Sequence, residues 1–257
     1  MKCGILYFSA TGNTSYVASL FKKELSKYNV GCEIIEIDKC KNFKDDFDVF
    51  ILGSPIHCET YPNYFVDYIM SHLKVGKGRK VLIYSTQAAE AGVGPNILGD
   101  KLSKIGFRIY GQICFRMPNN YYLTFFPPTS EKVAKSYIHE TTLRIEGVVK
   151  NFLEGKRTTY SAKKINIALA KVTYPLFASY SFKWAKKKLE VDDSLCTRCK
   201  KCVINCPTNN IKIVDNNIHF NNNCISCVRC LHNCPFNAFL YKGKHFIQYK
   251  LETLLDK

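Results

Sequence analysis

Two runs of cysteine share one spacing: CTRCKKCVINCP at residues 196–207 and CISCVRCLHNCP at residues 224–235. Each reads Cys-x-x-Cys-x-x-Cys-x-x-x-Cys-Pro. Thiolates are soft ligands that suit iron–sulfur clusters. Three of them at three-residue spacing wrap one cube of iron and sulfide, and the fourth lies too far along the chain to reach the same cube. The spacing therefore crosses the ligands over. Cys196, Cys199, Cys202 and Cys234 are expected to hold one [4Fe–4S] cluster, and Cys224, Cys227, Cys230 and Cys206 the other. Pro207 and Pro235 stop the local helix and hold the fourth ligand in place. Zinc is the alternative. It is disfavoured because structural zinc sites use paired Cys-x-x-Cys, and this region adds only His219, His232 and His245.

A second stretch able to do chemistry lies near the start, Ser9-Ala-Thr-Gly-Asn-Thr14. It follows a strand-like run and opens a helix-like one. Hydroxyls and a glycine stand where backbone N–H groups lack partners and the helix dipole is positive, which makes a cradle for a phosphate. There is no Lys, so the loop is not of the Walker type, and it is not G-x-G-x-x-G. A hydroxyl-lined loop without a cation suits a single terminal phosphate monoester. The competing reading is an ordinary helix N-cap, since Ser, Thr and Asn are common capping residues.

These residues need elements to position them. Strand-length apolar runs recur at Gly4–Phe8, Glu33–Ile37, Val49–Leu52, Val81–Tyr84 and Phe107–Phe115. Between them, helical stripes are formed by Val17, Leu20, Phe21 and Leu25, and by Phe65, Tyr68, Ile69 and Leu73. A longer stripe runs from Val133 to Phe152. Alternating strands and helices predict an α/β fold, a doubly wound parallel sheet of five strands with its ligand loops at the carboxyl ends of the strands. In the second half, Asn210–Val214 and Ile218–Phe220 flank Asp215-Asn-Asn217, a hairpin signature.

With those residues in view, Tyr7-Phe-Ser-Ala-Thr-Gly-Asn-Thr14, followed by Ala18, resembles the FMN-phosphate signature of flavodoxins. Phe21 stands where that family usually has a small aliphatic residue. Gly53-Ser-Pro-Ile-His-Cys58 and Ser85-Thr-Gln-Ala-Ala-Glu-Ala-Gly92 resemble the two loops that flank the flavin ring, although Ala88-Ala89 replaces a usual Gly pair. The resemblance implies FMN, with Ser9, Thr11, Gly12, Asn13 and Thr14 at its phosphate. It implies Ser54, Pro55, Ile56, His57, Thr86, Gln87, Ala88, Gly92, Asn120 and Tyr121 around the rest. His57, Tyr61, Tyr121 and Tyr122 are all available for ring stacking. Met117-Pro-Asn-Asn-Tyr121 resembles a segment of flavodoxin–ferredoxin fusions, with a packed turn as the competing reading. The hairpin between the cysteine runs resembles that of two-cluster ferredoxins. Nearly the whole chain resembles flavodoxin–ferredoxin fusion proteins. That implies an electron-transfer protein linking two [4Fe–4S] clusters and FMN within one chain, with no side-chain acid or base assigned to catalysis. The alternative is an FMN-dependent reductase of a small molecule fed by the clusters.

Charge and length divide the 257 residues further. Residues 1–155, the expected FMN domain, hold 19 Lys/Arg against 15 Asp/Glu. Residues 189–257, the expected two-cluster domain with a C-terminal tail, hold nine against six. Residues 156–188 hold nine basic residues and no acidic one, and contribute more than half of the net +16. Within this segment Ile165, Leu169, Val172, Leu176, Tyr180 and Trp184 fall at helical spacing, with Pro175 among them. The first reading is a connector whose apolar stripe packs on both domains while its lysines face water. After it comes contact with an acidic redox partner, then a membrane surface. Nucleic acid is last, because no recognition motif accompanies the charge. The N-terminal apolar run is too short for a signal peptide, and no uncharged run reaches the length of a membrane span. The expected compartment is the cytoplasm. Five further cysteines, Cys3, Cys32, Cys40, Cys58 and Cys114, are expected to be buried and inert.

Overall fold

The computed structural model describes residues 1–89, 92–123, 126–160 and 162–255. Glu90 and Ala91 of the fourth-strand loop lie outside the described residues. Six parallel strands form one sheet: β1 (Lys2–Tyr7), β2 (Gly31–Glu36), β3 (Val49–Pro55), β4 (Lys80–Gln87), β5 (Arg108–Arg116) and β6 (Thr158–Thr159). Their order is β2-β1-β3-β4-β5-β6. The five expected strands are present. The sixth is two threonines paired beside Gly111 and Gln112, too short to leave a periodic signal. The order 2-1-3-4-5 is that of flavodoxin-like doubly wound sheets, with its switch point between β1 and β3.

Helices α1 (Asn13–Ser26), α2 (Asn63–His72), α3 (Gly94–Lys104) and α4 (Glu131–Leu153) cover the two faces. Alternating side chains of β1 divide between them. Cys3, Ile5 and Tyr7 join Val17, Phe21 and Leu25 of α1 and Ile145, Val149 and Phe152 of α4. Leu6 and Phe8 join Phe65 and Ile69 of α2 and Leu98 and Leu102 of α3. β3 and β4 are buried along most of their length, as strands covered on both faces must be. No expectation named α3, whose apolar stripe is interrupted by Pro95 and Gly99.

The second half begins with α5 (Lys164–Phe182) and α6 (Trp184–Lys188). The structure leaves the expected apolar stripe of the connector uncovered, while Lys163, Lys164, Lys171, Lys183, Lys186 and Lys187 face water. Ile165, Leu169, Val172, Leu176 and Tyr180 are exposed, whereas Ala170, Tyr174 and Ser181 are buried. Of the expected stripe, Trp184 alone is buried. Helical spacing identifies which residues share a face and says nothing of which face is covered.

Beyond α6, β7 (Leu189–Val191) pairs antiparallel with a late strand, Phe239–Tyr241, and two short helices carry cysteines, α7 (Lys201–Ile204) and α8 (Arg229–His232). The hairpin is β8 (Ile211–Val214) with β9 (Asn217–Phe220), and the late strand is β10. Asp215 (φ 48°) and Asn216 (φ 61°) turn the hairpin in the left-handed region, as the favoured two-residue turns require. Trp184, Leu189, Leu231 and Phe239 form the small core. The cysteine repeat is also a backbone repeat. Arg198 and Lys200 flank Cys199 with φ of 56° and 63°, and Ser226 and Val228 flank Cys227 with φ of 52° and 56°. Asn209 and Asn237, each three residues past the fourth cysteine, have φ of 51° and 48°.

Candidate functional site

The eight thiols are grouped four and four. Cys196, Cys199, Cys202 and Cys234 line one cavity, and Cys206, Cys224, Cys227 and Cys230 line another. The two cavities are similar in size. Left-handed residues flank the second cysteine of each run in the same way. Burial pushes the Cys202 thiol up to about 11, and the nearby Cys234 and Cys196 push it in the same direction. Burial likewise takes Cys227 up to about 12. The Cys230 thiol lies well above its ordinary range, through burial first and then Cys227, Cys224 and Cys206. Groups that resist ionising together need a cationic centre to accept them as thiolates, and an iron–sulfide core supplies one. The backbone is set for sulfur ligands too. Asn210 N–H donates to Cys206 Sγ (3.2 Å), Ala238 N–H to Cys234 Sγ (3.4 Å) and Ser226 N–H to Cys224 Sγ (3.3 Å). The donor set therefore fits two cubane clusters.

The loops singled out in the first half gather at the carboxyl edge of the sheet. Gly12 has φ 107° and opens α1. The first N–H groups of that helix have no intrahelical acceptors. Ser9, Asn13 and Thr14 are buried around them. Hydroxyls, a left-handed glycine and unpaired N–H groups are a fitting donor set for a phosphate monoester. Thr14 and Thr86 hydroxyls meet at 2.7 Å, joining the first loop to the fourth-strand loop. Tyr84 holds the cradle from below, its hydroxyl donating to Thr14 O (3.0 Å). Its ring passes so close to Gly53 that a Cβ there would lie 2.0 Å from it.

The loops after β3 and β4 pack on each other. His57 N–H donates to Thr60 O (2.7 Å), and Val93 N–H donates to Glu59 O (2.7 Å). Pro55 and Ile56 are half-buried, and Ile56 lies against Gly92. Ser54 is buried, Gln87 accepts from Ser85 Oγ (2.9 Å), and the Ala88 carbonyl accepts from Arg116 Nε (3.2 Å). Burial lowers the His57 imidazole to about 4, against a smaller opposing effect of the Ile225 carbonyl. Among the aromatic candidates, Tyr61 is a core residue whose hydroxyl donates to Tyr84 O (2.8 Å). Tyr121 packs against Trp184 at 6.2 Å between ring centroids, and Tyr122 against His232 at 5.6 Å. Of the five cysteines expected to be buried and inert, only Cys3 is fully buried, and Cys58 is exposed. Burial, then Glu59, raises the Cys58 pKa, so exposure does not make it a ready thiolate.

The cluster module and the loops meet at residues that sequence reasoning missed. Arg229 reads as a spacer between Cys227 and Cys230, yet it is 5 % exposed and reaches the other half of the chain. Its guanidinium pairs with Asp38 and Glu36 and donates to Ser9 O (2.5 Å) and Asn205 O (3.0 Å). His232 accepts from Tyr249 N–H at Nδ1 (3.0 Å), so its proton sits on Nε2 and is donated to Asn120 O (2.8 Å). The Asn120 amide in turn bonds the Thr11 hydroxyl. Tyr249 hydroxyl donates to Asn13 Oδ1 (2.6 Å), and Leu251 lies over Gly12. The Met117–Tyr121 segment packs between the Ser9–Thr14 loop and the second half of the chain. The signal in the sequence was an arginine inside a ligand run, next to an apolar Val228 and Leu231.

A fold of this topology beside two four-cysteine cavities defines a protein of the electron-transfer class. Family comparison gives the same two parts. A flavodoxin domain matches residues 4–104, and a 4Fe-4S dicluster domain matches residues 188–243. The chain therefore carries a flavodoxin domain followed by a 4Fe-4S dicluster domain, the order of a flavodoxin–ferredoxin fusion. These domain types imply FMN and 4Fe-4S clusters, and a redox protein as partner. No curated protein matches the chain. Among solved structures, a flavodoxin from the domain Archaea is 15 % identical, covering 59 % of this chain and 99 % of its own, with a TM-score of 0.43. Oxidised flavodoxin 1 of Bacillus cereus is 19 % identical over 60 % and 98 %, with a TM-score of 0.44. Two-electron reduced Megasphaera elsdenii flavodoxin is 21 % identical over 58 % and 98 %, with a TM-score of 0.43.

Proposed function

We propose that this chain is an electron carrier that passes electrons between two [4Fe–4S] clusters and FMN held in one molecule, and exchanges them with a redox partner. One observation carries the reading: the Cys206, Cys224, Cys227 and Cys230 cavity belongs to the same loops that dock, through Arg229 and Ile225, on the flavodoxin half beside Ser9 and His57. In this reading the eight cysteines hold the clusters. Ser9, Thr11, Gly12, Asn13 and Thr14 hold the FMN phosphate. Ser54, Pro55, Ile56, His57, Thr86, Gln87, Ala88, Gly92, Asn120 and Tyr121 border the rest of the flavin. When bound, a cubane passes one electron at a time and FMN stores one or two. Arg229, His232 and Tyr249 keep the cluster module against the loops.

The other cavity is placed for outside exchange. Cys199 is exposed, and Lys200 and Lys201 beside it are exposed too. That edge suits a partner with an acidic surface. Free thiols and clusters suit a reducing compartment, and we place the protein in the cytoplasm. The alternative, a reductase of a small molecule, calls for a pocket lined by His57, Tyr61 and Tyr121. Tyr61 in the core and Tyr121 against Trp184 give that reading no support.

Protein purified without oxygen and supplied with iron, sulfide and FMN is expected to hold about eight irons and one flavin per chain. After addition of a one-electron reductant, the flavin absorbance is expected to bleach at a rate independent of protein concentration, because the transfer is internal. About four irons, no flavin uptake, or a rate that rises with concentration would sink the proposal.

A further inference from the structure

Helix α5 is apolar on two opposite sides. Its inner side is committed: Ala170, Tyr174 and Ser181 are buried, the Tyr174 hydroxyl accepts from Asn63 N–H (2.7 Å), and Cys224 N–H donates to Phe182 O (3.3 Å) at the end of the helix. Its outer side carries Ile165 (69 % exposed), Leu169 (56 %), Val172 (64 %), Leu176 (69 %) and Tyr180 (51 %). At 100° per residue these five fall within an arc of about 80° and extend over about 22 Å. An apolar stripe on a helix normally faces a cover. Here the outer stripe has no cover among the described residues.

The charge around the stripe selects the cover. Residues 156–188 hold nine basic and no acidic residues. Lys163, Lys164, Lys171, Lys183, Lys186 and Lys187 are all exposed. Lys164 and Lys171 project about a quarter-turn to one side of the stripe. A second copy of the chain would bring this cationic segment against itself. Protein interfaces draw their binding energy from Trp, Tyr and Arg, and are depleted in Lys. This face has the opposite make-up, Ile, Leu and Val bordered by Lys, with aromatic Tyr180 and Phe182 near one end. Aliphatic side chains beside lysines, with nothing acidic, is the composition of a helix lying in the surface of an anionic bilayer. Long lysine stems can lie along the surface and present their ammonium groups to phosphates. No helix among the described residues is long and apolar enough to cross a membrane, so the contact is peripheral.

We infer that the outer face of α5 docks on an anionic lipid surface, with the stripe in the headgroup–acyl boundary and the lysines on lipid phosphates. Because the end of α5 is tied to Cys224 through Phe182 O, docking would orient the cluster module relative to the membrane.

The test is sedimentation of the holoprotein with phosphatidylcholine vesicles that do or do not contain phosphatidylglycerol. Binding is expected only to the anionic vesicles and is expected to weaken with added salt. Leu169→Glu/Leu176→Glu is expected to weaken it by about tenfold or more. Lys163→Gln/Lys164→Gln/Lys171→Gln is expected to do the same. These positions are exposed, so iron content should match that of the unaltered protein. The inference is overturned by absence of binding to anionic vesicles, or by binding that Leu169→Glu/Leu176→Glu leaves intact. It is equally overturned by a dimer in solution that Leu169→Glu/Leu176→Glu disperses. Binding to polyglutamate without binding to vesicles would assign the face to an acidic protein instead.

Discussion

Arg229 joins the two halves of the molecule more directly than any other side chain described. A guanidinium this deeply buried is tolerable only with its charge matched and its donors used, and Asp38, Glu36, Ser9 O and Asn205 O supply both. Its counter-ion Asp38 is 5 % exposed at the side chain and has one oxygen, Oδ1, without a partner. Arg229→Met therefore leaves a buried carboxylate alone and is expected to destabilise the holoprotein by about 3–5 kcal/mol. Urea denaturation measures the loss, and Arg229→Met/Asp38→Leu is expected to recover a large part of it. If the single variant is as stable as the parent, the docking described here does not form in solution. Val228, next in the chain, is a β-branched residue at φ 56°, a conformation kept only where the surroundings impose it. Its counterpart in the first repeat, Lys200, has the same twist, which ties the strain to the shape of the ligand loop rather than to the residue.

At the scale of elements, a strand end governs a helix start. β3 ends in Gly53-Ser54-Pro55, and the glycine lets the Tyr84 ring of β4 cross beneath the chain to reach Thr14 O at the opening of α1. Gly53→Ala drives a methyl into that ring, an overpacking that costs about 1–3 kcal/mol, and moves the hydroxyl that steadies the cradle. FMN affinity is expected to fall about tenfold by fluorescence titration. Iron content should stay unchanged, because the cluster module is built elsewhere. Equal FMN affinity would mean that the loop after β1 is a helix cap only. The strands and the helices α1, α2 and α4 were legible in the sequence because their periodicity is local and runs over many residues. β6 and α3 were not, one being two residues long and the other interrupted by Pro95 and Gly99.

For the whole molecule, charge and cysteine placement run in one direction. The exposed Cys199 edge with Lys200 and Lys201 faces outward, and the second cavity faces the flavodoxin loops. Lys200→Glu/Lys201→Glu is expected to lower the rate of exchange with an acidic redox protein by about tenfold at low salt, and the difference should shrink as salt is added. Bleaching of the flavin within the chain should be unaffected, and stopped-flow absorbance follows both. A loss of the internal rate would place the two lysines on the internal path and not at its entrance. Much of this was written in the sequence itself. The two cysteine runs, the alternation of strands and helices in an α/β sheet and the basic segment all follow from residue type and short-range spacing, which covalent geometry converts directly into local structure. What only the tertiary structure decided were contacts between residues far apart in the chain: Arg229 on Ser9 and Asp38, Tyr249 on Asn13, Tyr61 in the core, and the face of α5 left open. Periodicity says which side chains stand together, but burial is set by whatever packs against them, and that partner lies elsewhere in the chain.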